Sequence, residues 1–143
     1  MGNGNYRILE MIPTAKDYLA LNRSVGWGKV PHEPSINRAL ENSLACFCAL
    51  DGDKLVGFVR VIGDNSICFY IQDLLIHPDY QRKGIGSSLM NRTMDFIKKN
   101  AAAVAFIGLM AAVDAEPFYE KYSFKRRPDE RPGMDRVLRY ENS

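Results

Sequence analysis

Seven consecutive residues, Gln81-Arg82-Lys83-Gly84-Ile85-Gly86-Ser87, have the types and spacing to hold an anion. Gly84 and Gly86 permit backbone conformations closed to other residues and let a bulky group approach the main chain closely. Arg82 and Lys83 add positive charge at the rim. The residues that follow read as a helix, and a helix start leaves about four N–H groups without intrahelical acceptors at the positive end of its dipole. Together these features predict a backbone site for phosphate, with a diphosphate as the natural guest. Gly-x-Gly alone is equally a tight strand-to-helix turn whose glycines serve geometry. The stretch is not a Walker loop, because no Gly-Lys-Ser/Thr follows four residues after a first glycine. Nor is it the dinucleotide Gly-x-Gly-x-x-Gly fingerprint, whose third glycine position is Leu89.

The flanking elements must place this turn. Residues 67–76 are nearly all apolar, β-branched or aromatic and end before Pro78, which predicts a buried central strand. After the turn, Ile85, Leu89, Met90, Thr93, Phe96 and Ile97 recur at three- and four-residue spacing, the period of a helix with one buried face. Upstream, residues 6–11 read as a first strand. A helix then starts near Pro13-Thr14 with Tyr18, Leu19, Leu21 and Asn22 on its face. Residues 25–34 read as a loop, leading to a second helix through Ile36, Ala39 and Leu40. Strands at 44–50 and 54–62 flank Asp51-Gly52-Asp53, a hairpin signal, and Gly63-Asp64-Asn65 turns the chain into the central strand. Downstream, an apolar strand at 101–110 should run parallel to the central strand, since a helix connects the two. A short helix at 114–122 follows. Two last strands, one starting at 123–125 and one at 134–140, should close a hairpin around a charged, proline-bearing loop.

At 143 residues the chain reads as one domain, long enough to bury a core without disulfides. Its 46% hydrophobic and 25% charged residues are those of a soluble globular protein. Lys and Arg number 19 against 17 Asp and Glu, so net charge gives no case for a nucleic-acid partner. Cys46, Cys48 and Cys68 lack paired metal-site spacing and read as small core residues in a reducing compartment. No metal site is expected. The first ten residues lack a charged region followed by an apolar one, and the longest apolar run is too short for a bilayer, so no membrane association and a cytoplasmic location are expected.

Gln/Arg-x-x-Gly-x-Gly/Ala directly after a strand and opening a helix, met here by Gln81, Gly84 and Gly86, resembles the acyl-CoA signature of the GNAT superfamily of N-acetyltransferases. The order of elements is similar to that fold over nearly the whole chain. PFYEKYSF at 117–124 resembles a family segment ending in Gly-Phe, with Ser123 where glycine is usual, and Val56-Gly57-Phe58, Asp73-Leu74-Leu75-Ile76 and Pro78 also fit. The expected fold class is α+β, a GNAT-like mixed, mostly antiparallel, twisted sheet with helices on both faces.

The resemblance implies an acetyl-CoA-dependent transferase that acetylates a primary amine of a small molecule or peptide in a ternary complex. By the same resemblance, backbone amides of Arg82, Lys83, Gly84, Ile85, Gly86 and Ser87 hold the diphosphate, and the pantetheine arm lies alongside Leu74 and Ile76. A bulge splays the central strand so that the amide of Leu75 or Ile76 faces the thioester oxygen. Asp114 stands where an asparagine that contacts the CoA arm is common. Tyr119 is implied as the acid for the leaving thiolate; read without the family it is a core aromatic. Asp73 is the leading candidate for the base, with a structural hydrogen-bonded carboxylate as the alternative, and His77 either serves there or caps the turn. Trp27 and His32 are candidate substrate contacts. Trp27, Tyr70, Phe118 and Met134 hint at an apolar acceptor, Glu33 and Asp129 at a polyamine. A non-catalytic acyl-CoA-binding module is the competing reading, and relatives of this size are often homodimers.

Overall fold

The computed structural model describes residues 5–26 and 32–139. The chain divides after Leu109 into two compact units. The first holds β1 (Arg7–Glu10), α1 (Ala15–Val25), α2 (Glu33–Glu41), β2 (Ala45–Asp51), β3 (Lys54–Gly63), β4 (Cys68–Ile76), a 3-10 turn (Pro78–Tyr80), α3 (Ile85–Asn100) and β5 (Phe106–Gly108). The five strands lie in the order β1-β2-β3-β4-β5. The first four pair antiparallel, and β5 runs parallel to β4.

Strand alternation sends side chains to two cores. Cys48 lies opposite Phe58 and packs with Cys46, Leu75 and the α1 and α2 residues Tyr18, Leu19, Leu21, Ile36 and Leu40. One residue out of phase, Phe47 lies opposite Val59 and turns to the other face, where its ring meets Phe96 of α3. Helices therefore cover both faces of the sheet. The α3 side is closely packed: a Cβ on Gly57 would stand 2.9 Å from Ile85 Cγ2 and 3.1 Å from Leu89 Cδ1, so only glycine lets the helix approach β3 this far. Two polar residues, Asn22 and Thr93, are also buried. Thr93 Oγ1 donates to the Leu89 carbonyl at 2.8 Å, which settles it inside the helix.

Helix and turn ends follow local chemistry. The Thr14 hydroxyl accepts from the Asp17 amide at 3.1 Å to cap α1, and Gly26 ends it in the left-handed region at φ 73°. Between β3 and β4, Asp64 Oδ1 accepts from the amides of Ser66, Ile67 and Cys68 at 2.8 to 3.0 Å. These bonds, Cys68's first, hold its carboxyl below the usual range.

Four sequence-based expectations are corrected. The strand expected over 101–110 enters a ladder only at Phe106–Gly108, because the Ala101 amide ends α3 on Ile97 and the Ala102 amide bonds Ser66. Cys68 is exposed rather than part of the core, as is Ile67 beside it, since the start of β4 lies at the rim of the sheet. In the second unit, no strand forms among the described residues, so the closing hairpin from 123–125 and 134–140 is absent there; Tyr140 lies outside the described residues. The Phe124 amide bonds back to the Tyr119 carbonyl, curling the chain around the short helix α4 (Glu116–Glu120), and Pro128 and Pro132 offer no donors to a ladder. Met134, Val137 and Leu138 are exposed. Asp114, at φ 65° in the left-handed region, also stops α4 from starting where the sequence suggested.

Candidate functional site

From Leu74 to Ser87 the chain runs from the end of β4 through the 3-10 turn into the start of α3, all within the first unit. Leu75 is buried, Leu74 and Ile76 are half-buried, and Gln81, Arg82, Lys83 and Gly84 are exposed. Ile85 is buried and anchors the start of α3, Gly86 is half-buried and Ser87 exposed. Gly84 is the N-cap of α3 at φ 84°, with no side-chain cap, and Arg82 also has a positive φ of 63°. Two left-handed residues bracketing Lys83 turn the backbone sharply, and no side chain caps the start of the helix.

The route from strand to turn is braced. His77 Nδ1 accepts from the Asp79 amide at 3.1 Å, so His77 caps the 3-10 turn. Gln81 Nε2 donates to the Ile76 carbonyl at 3.2 Å. Tyr80 donates to Asp51 Oδ2 at 2.6 Å, tying the turn to the β2–β3 hairpin.

β4 carries an extra residue. Phe58 pairs with Leu75 and Arg60 with Gln72, so Val59 on β3 is opposed by both Asp73 and Leu74. Asp73 sits in this bulge at φ 61°. Its consequence is visible in the side chains: Ile71 lies opposite Val61 and Leu75 opposite Phe58, and residues three apart on β3 point to opposite faces. Residues 71 and 75 would share a face in an unbulged strand.

The same switch applies to the backbone. Before the bulge, the Asp64 amide bonds the Cys68 carbonyl, so by alternation Tyr70 and Gln72 exchange bonds with β3 while Phe69 and Ile71 turn theirs away. After it, the His77 amide bonds the Val56 carbonyl, so Leu75 bonds Phe58 while the amides of Leu74 and Ile76 turn away from β3. The β4–β5 ladder ends at Tyr70 and Gly108, so these outward amides lie on the part of β4 beyond it. Of the two amides expected at the thioester, Ile76's is the one that alternation aims outward.

Asp73 is held on three sides. Its Oδ2 accepts from Arg60 Nε at 3.0 Å and from the Tyr18 hydroxyl at 2.9 Å, and its Oδ1 accepts from Gln72 Nε2 at 3.1 Å. The side chains of Arg60 and Asp73 are 16% and 8% exposed, a largely desolvated ion pair. Arg60 Nη1 also reaches the Ala39 carbonyl and Ser43 Oγ at the end of α2. Burial, then the Asp73 charge and hydrogen bond, push the Tyr18 phenol far above its ordinary value, so it stays a donor. Sequence reading missed Arg60 and Tyr18 as site residues. A single charge inside Leu-Val-Gly-Phe-Val-Arg-Val-Ile was the available signal, because a buried guanidinium needs a partner.

In the second unit, Tyr119 is buried, with its ring edge-on to Phe118 at 5.1 Å and Phe124 at 6.3 Å. Burial raises its phenol. Asp114 is exposed in the turn before α4. His32 is the N-cap residue of α2, with its Nδ1 2.8 Å from Ser35 Oγ. Trp27 lies outside the described residues.

A mixed sheet whose fourth strand, rather than the central one the sequence suggested, outruns its parallel neighbour, bulges, and feeds a helix start without a side-chain cap through a glycine turn is the layout of an acetyltransferase fold. An acetyltransferase (GNAT) domain matches residues 25–136, and the chain belongs to the GNAT acetyltransferase family. It is similar to the uncharacterized N-acetyltransferase ycf52 of Pyropia yezoensis, 35% identical over 115 residues that cover 78% of this chain and 64% of that relative. The chain thus spans somewhat less than two thirds of the relative's length. Among solved structures, a Staphylococcus aureus protein of unknown function described as a probable acetyltransferase superposes with TM-score 0.86 at 30% identity, covering 94% of this chain and 99% of that one. A GNAT-family protein from Streptococcus pneumoniae gives TM-score 0.78 at 31% identity with the same coverage. Among the described residues, no helix is long and apolar enough to cross a membrane.

Proposed function

We propose that this chain binds acetyl-CoA and transfers its acetyl group to a primary amine of a small molecule or peptide, as a cytoplasmic enzyme. The observation that carries the reading is the run of chain from the outward amides of Leu74 and Ile76 to the uncapped start of α3 at Gly84. That run suits a long, narrow guest with an anionic group at one end. The backbone from Arg82 to Ser87 would hold the diphosphate, with Arg82 and Lys83 adding charge, and the pantetheine arm would lie alongside Leu74 and Ile76. Asp114 is assigned to the same arm on the family's motif.

Bound acetyl-CoA supplies an activated thioester. The amine lone pair forms the N–C bond to the carbonyl carbon, the C–S bond breaks, the nitrogen loses one proton and the thiolate sulfur gains one. The Ile76 amide is assigned to the charge that builds on the carbonyl oxygen; a donor of that kind is worth roughly 3 to 4 kcal/mol of barrier. Tyr119 is assigned as the proton source for sulfur, since its buried phenol is protonated at neutral pH. We assign Asp73 to the site as a group that shapes it, because both its oxygens already accept hydrogen bonds. The proton of the amine then leaves through water.

Purified protein mixed with acetyl-CoA and a panel of primary amines, with free thiol followed over time, tests the reading. Amine-dependent thiol release is the expected result. Acetyl-CoA binding without release for any amine would instead make the chain a non-catalytic acyl-CoA-binding module.

A further inference from the structure

Four groups from three elements meet at the bulge of β4, Tyr18 of α1, Arg60 of β3, and Gln72 and Asp73 of β4, and Ser43 just after α2 joins them through Arg60. An aspartate at φ 61° in the middle of a strand is uphill for the backbone, and it persists only where surrounding contacts fix it. Here the fixing contacts are the ion pair with Arg60 and the Tyr18 hydroxyl. If Asp73 slipped into an extended conformation, β4 would regain regular alternation with the other phase. The Leu75 amide would then point outward, and the Ile76 amide would turn into the sheet. Leu75 would also leave the core under α1, where it is 1% exposed.

We propose that Arg60 and Tyr18 are positioning residues for acyl transfer, which act through Asp73 to lock the β4 bulge in the phase that presents the Leu74 and Ile76 amides. This rests on the acetyl-CoA reading above and assigns Asp73 to geometry in place of proton abstraction. Arg60 additionally joins the bulge to the end of α2, so the helical layer on that face and the transfer edge are set by one buried charge. A neutral hydrogen-bonding network would hold the same shape less firmly, since charge-assisted bonds are roughly twice as strong as neutral ones.

The test combines amide NMR with kinetics on the full chain. In the wild type, acetyl-CoA should shift the Leu74 and Ile76 amide resonances more than that of Leu75. Tyr18→Phe and Arg60→Met should lower kcat about 5-fold and about 10- to 100-fold, respectively, with CoA affinity within about threefold of wild type, because the diphosphate turn is untouched. The Ile76 response should shrink in the same order. Asp73→Asn keeps an acceptor and tolerates the left-handed backbone, so kcat should fall while the acidic limb of the pH profile of kcat/KM keeps its midpoint. Should Arg60→Met fail to fold, Tyr18→Phe carries the same comparison, having lost one oxygen. A dominant Leu75 response, or loss of the acidic limb in Asp73→Asn with the Ile76 response intact, overturns the proposal while leaving acetyl-CoA binding standing. Wild-type protein that shows no response to acetyl-CoA overturns the functional reading and this inference with it.

Discussion

If the Tyr119 hydroxyl protonates the departing thiolate, Tyr119→Phe removes one oxygen and keeps the ring contacts with Phe118 and Phe124. kcat should fall roughly 10- to 1,000-fold with little change in melting temperature. A tyrosine serving only the core would show the reverse, normal turnover with a loss of about 1 kcal/mol. Steady-state kinetics at saturating acetyl-CoA beside thermal melting separate the two. Burial is the largest difference among the three thiols. Burial raises the Cys46 thiol and pushes that of Cys48 up to about 12, whereas Cys68 is exposed. The thiolate is the reactive form. A thiol reagent should therefore label one cysteine in the folded protein and three after denaturation, and peptide mapping should find the first at Cys68.

Turns between elements show how one side chain sets a connection. Asp64 collects three backbone amides at the start of β4, and its carboxyl is held below the ordinary range by them. A carboxyl depressed on folding stabilises the native state above its unfolded pKa, near 4, and that contribution is lost as pH falls through the lower folded value. Asp64→Ala should lower the melting temperature at pH 7, and the gap from wild type should narrow as pH drops below about 4. A melting series across that range checks it; a gap that stays constant would assign Asp64 no such role. The Arg60–Asp73 pair belongs to the same scale, since it joins two strands. Removing one partner leaves a buried charge, at a cost of roughly 3 to 5 kcal/mol. Tyr18→Phe keeps both charges paired and avoids that penalty, whereas Asp73→Asn and Arg60→Met each leave the partner's charge without its counter-ion.

Ligand binding is linked to the stability of the whole molecule. A guest that binds only the native state stabilises it by about 2.7 kcal/mol at 100 times its dissociation constant, enough to raise the melting temperature of a chain of this size by several degrees. Gly86→Asp would place a carboxylate at the helix start where the diphosphate is assigned. The variant should fold, lose at least about tenfold in CoA affinity by calorimetry, and show no thermal shift with CoA. Unchanged affinity in a folded Gly86→Asp variant would remove the diphosphate from this turn.

The chain's local chemistry determined a good deal. Periodicity placed α1, α2 and α3. The Asp-Gly pair placed the β2–β3 hairpin, and the glycines placed the turn before α3, because these signals depend only on neighbours a few residues apart. The family resemblance carried by Gln81, Gly84 and Gly86 supplied the expectation of a bulge just after Asp73, without what holds it. Where the extra residue sits was decided by contacts across 13 and 55 residues of chain, from Arg60 and Tyr18 to Asp73. Strand length was likewise decided at a distance. The apolar run after α3 pairs only where β4 is within reach, and the alternating residues near Met134 find no ladder among the described residues, since a strand exists only through its neighbour. Sequence fixes what each residue prefers, and the fold alone selects which buried charge meets which, because that pairing joins positions brought together only when the sheet and its covering helices have packed.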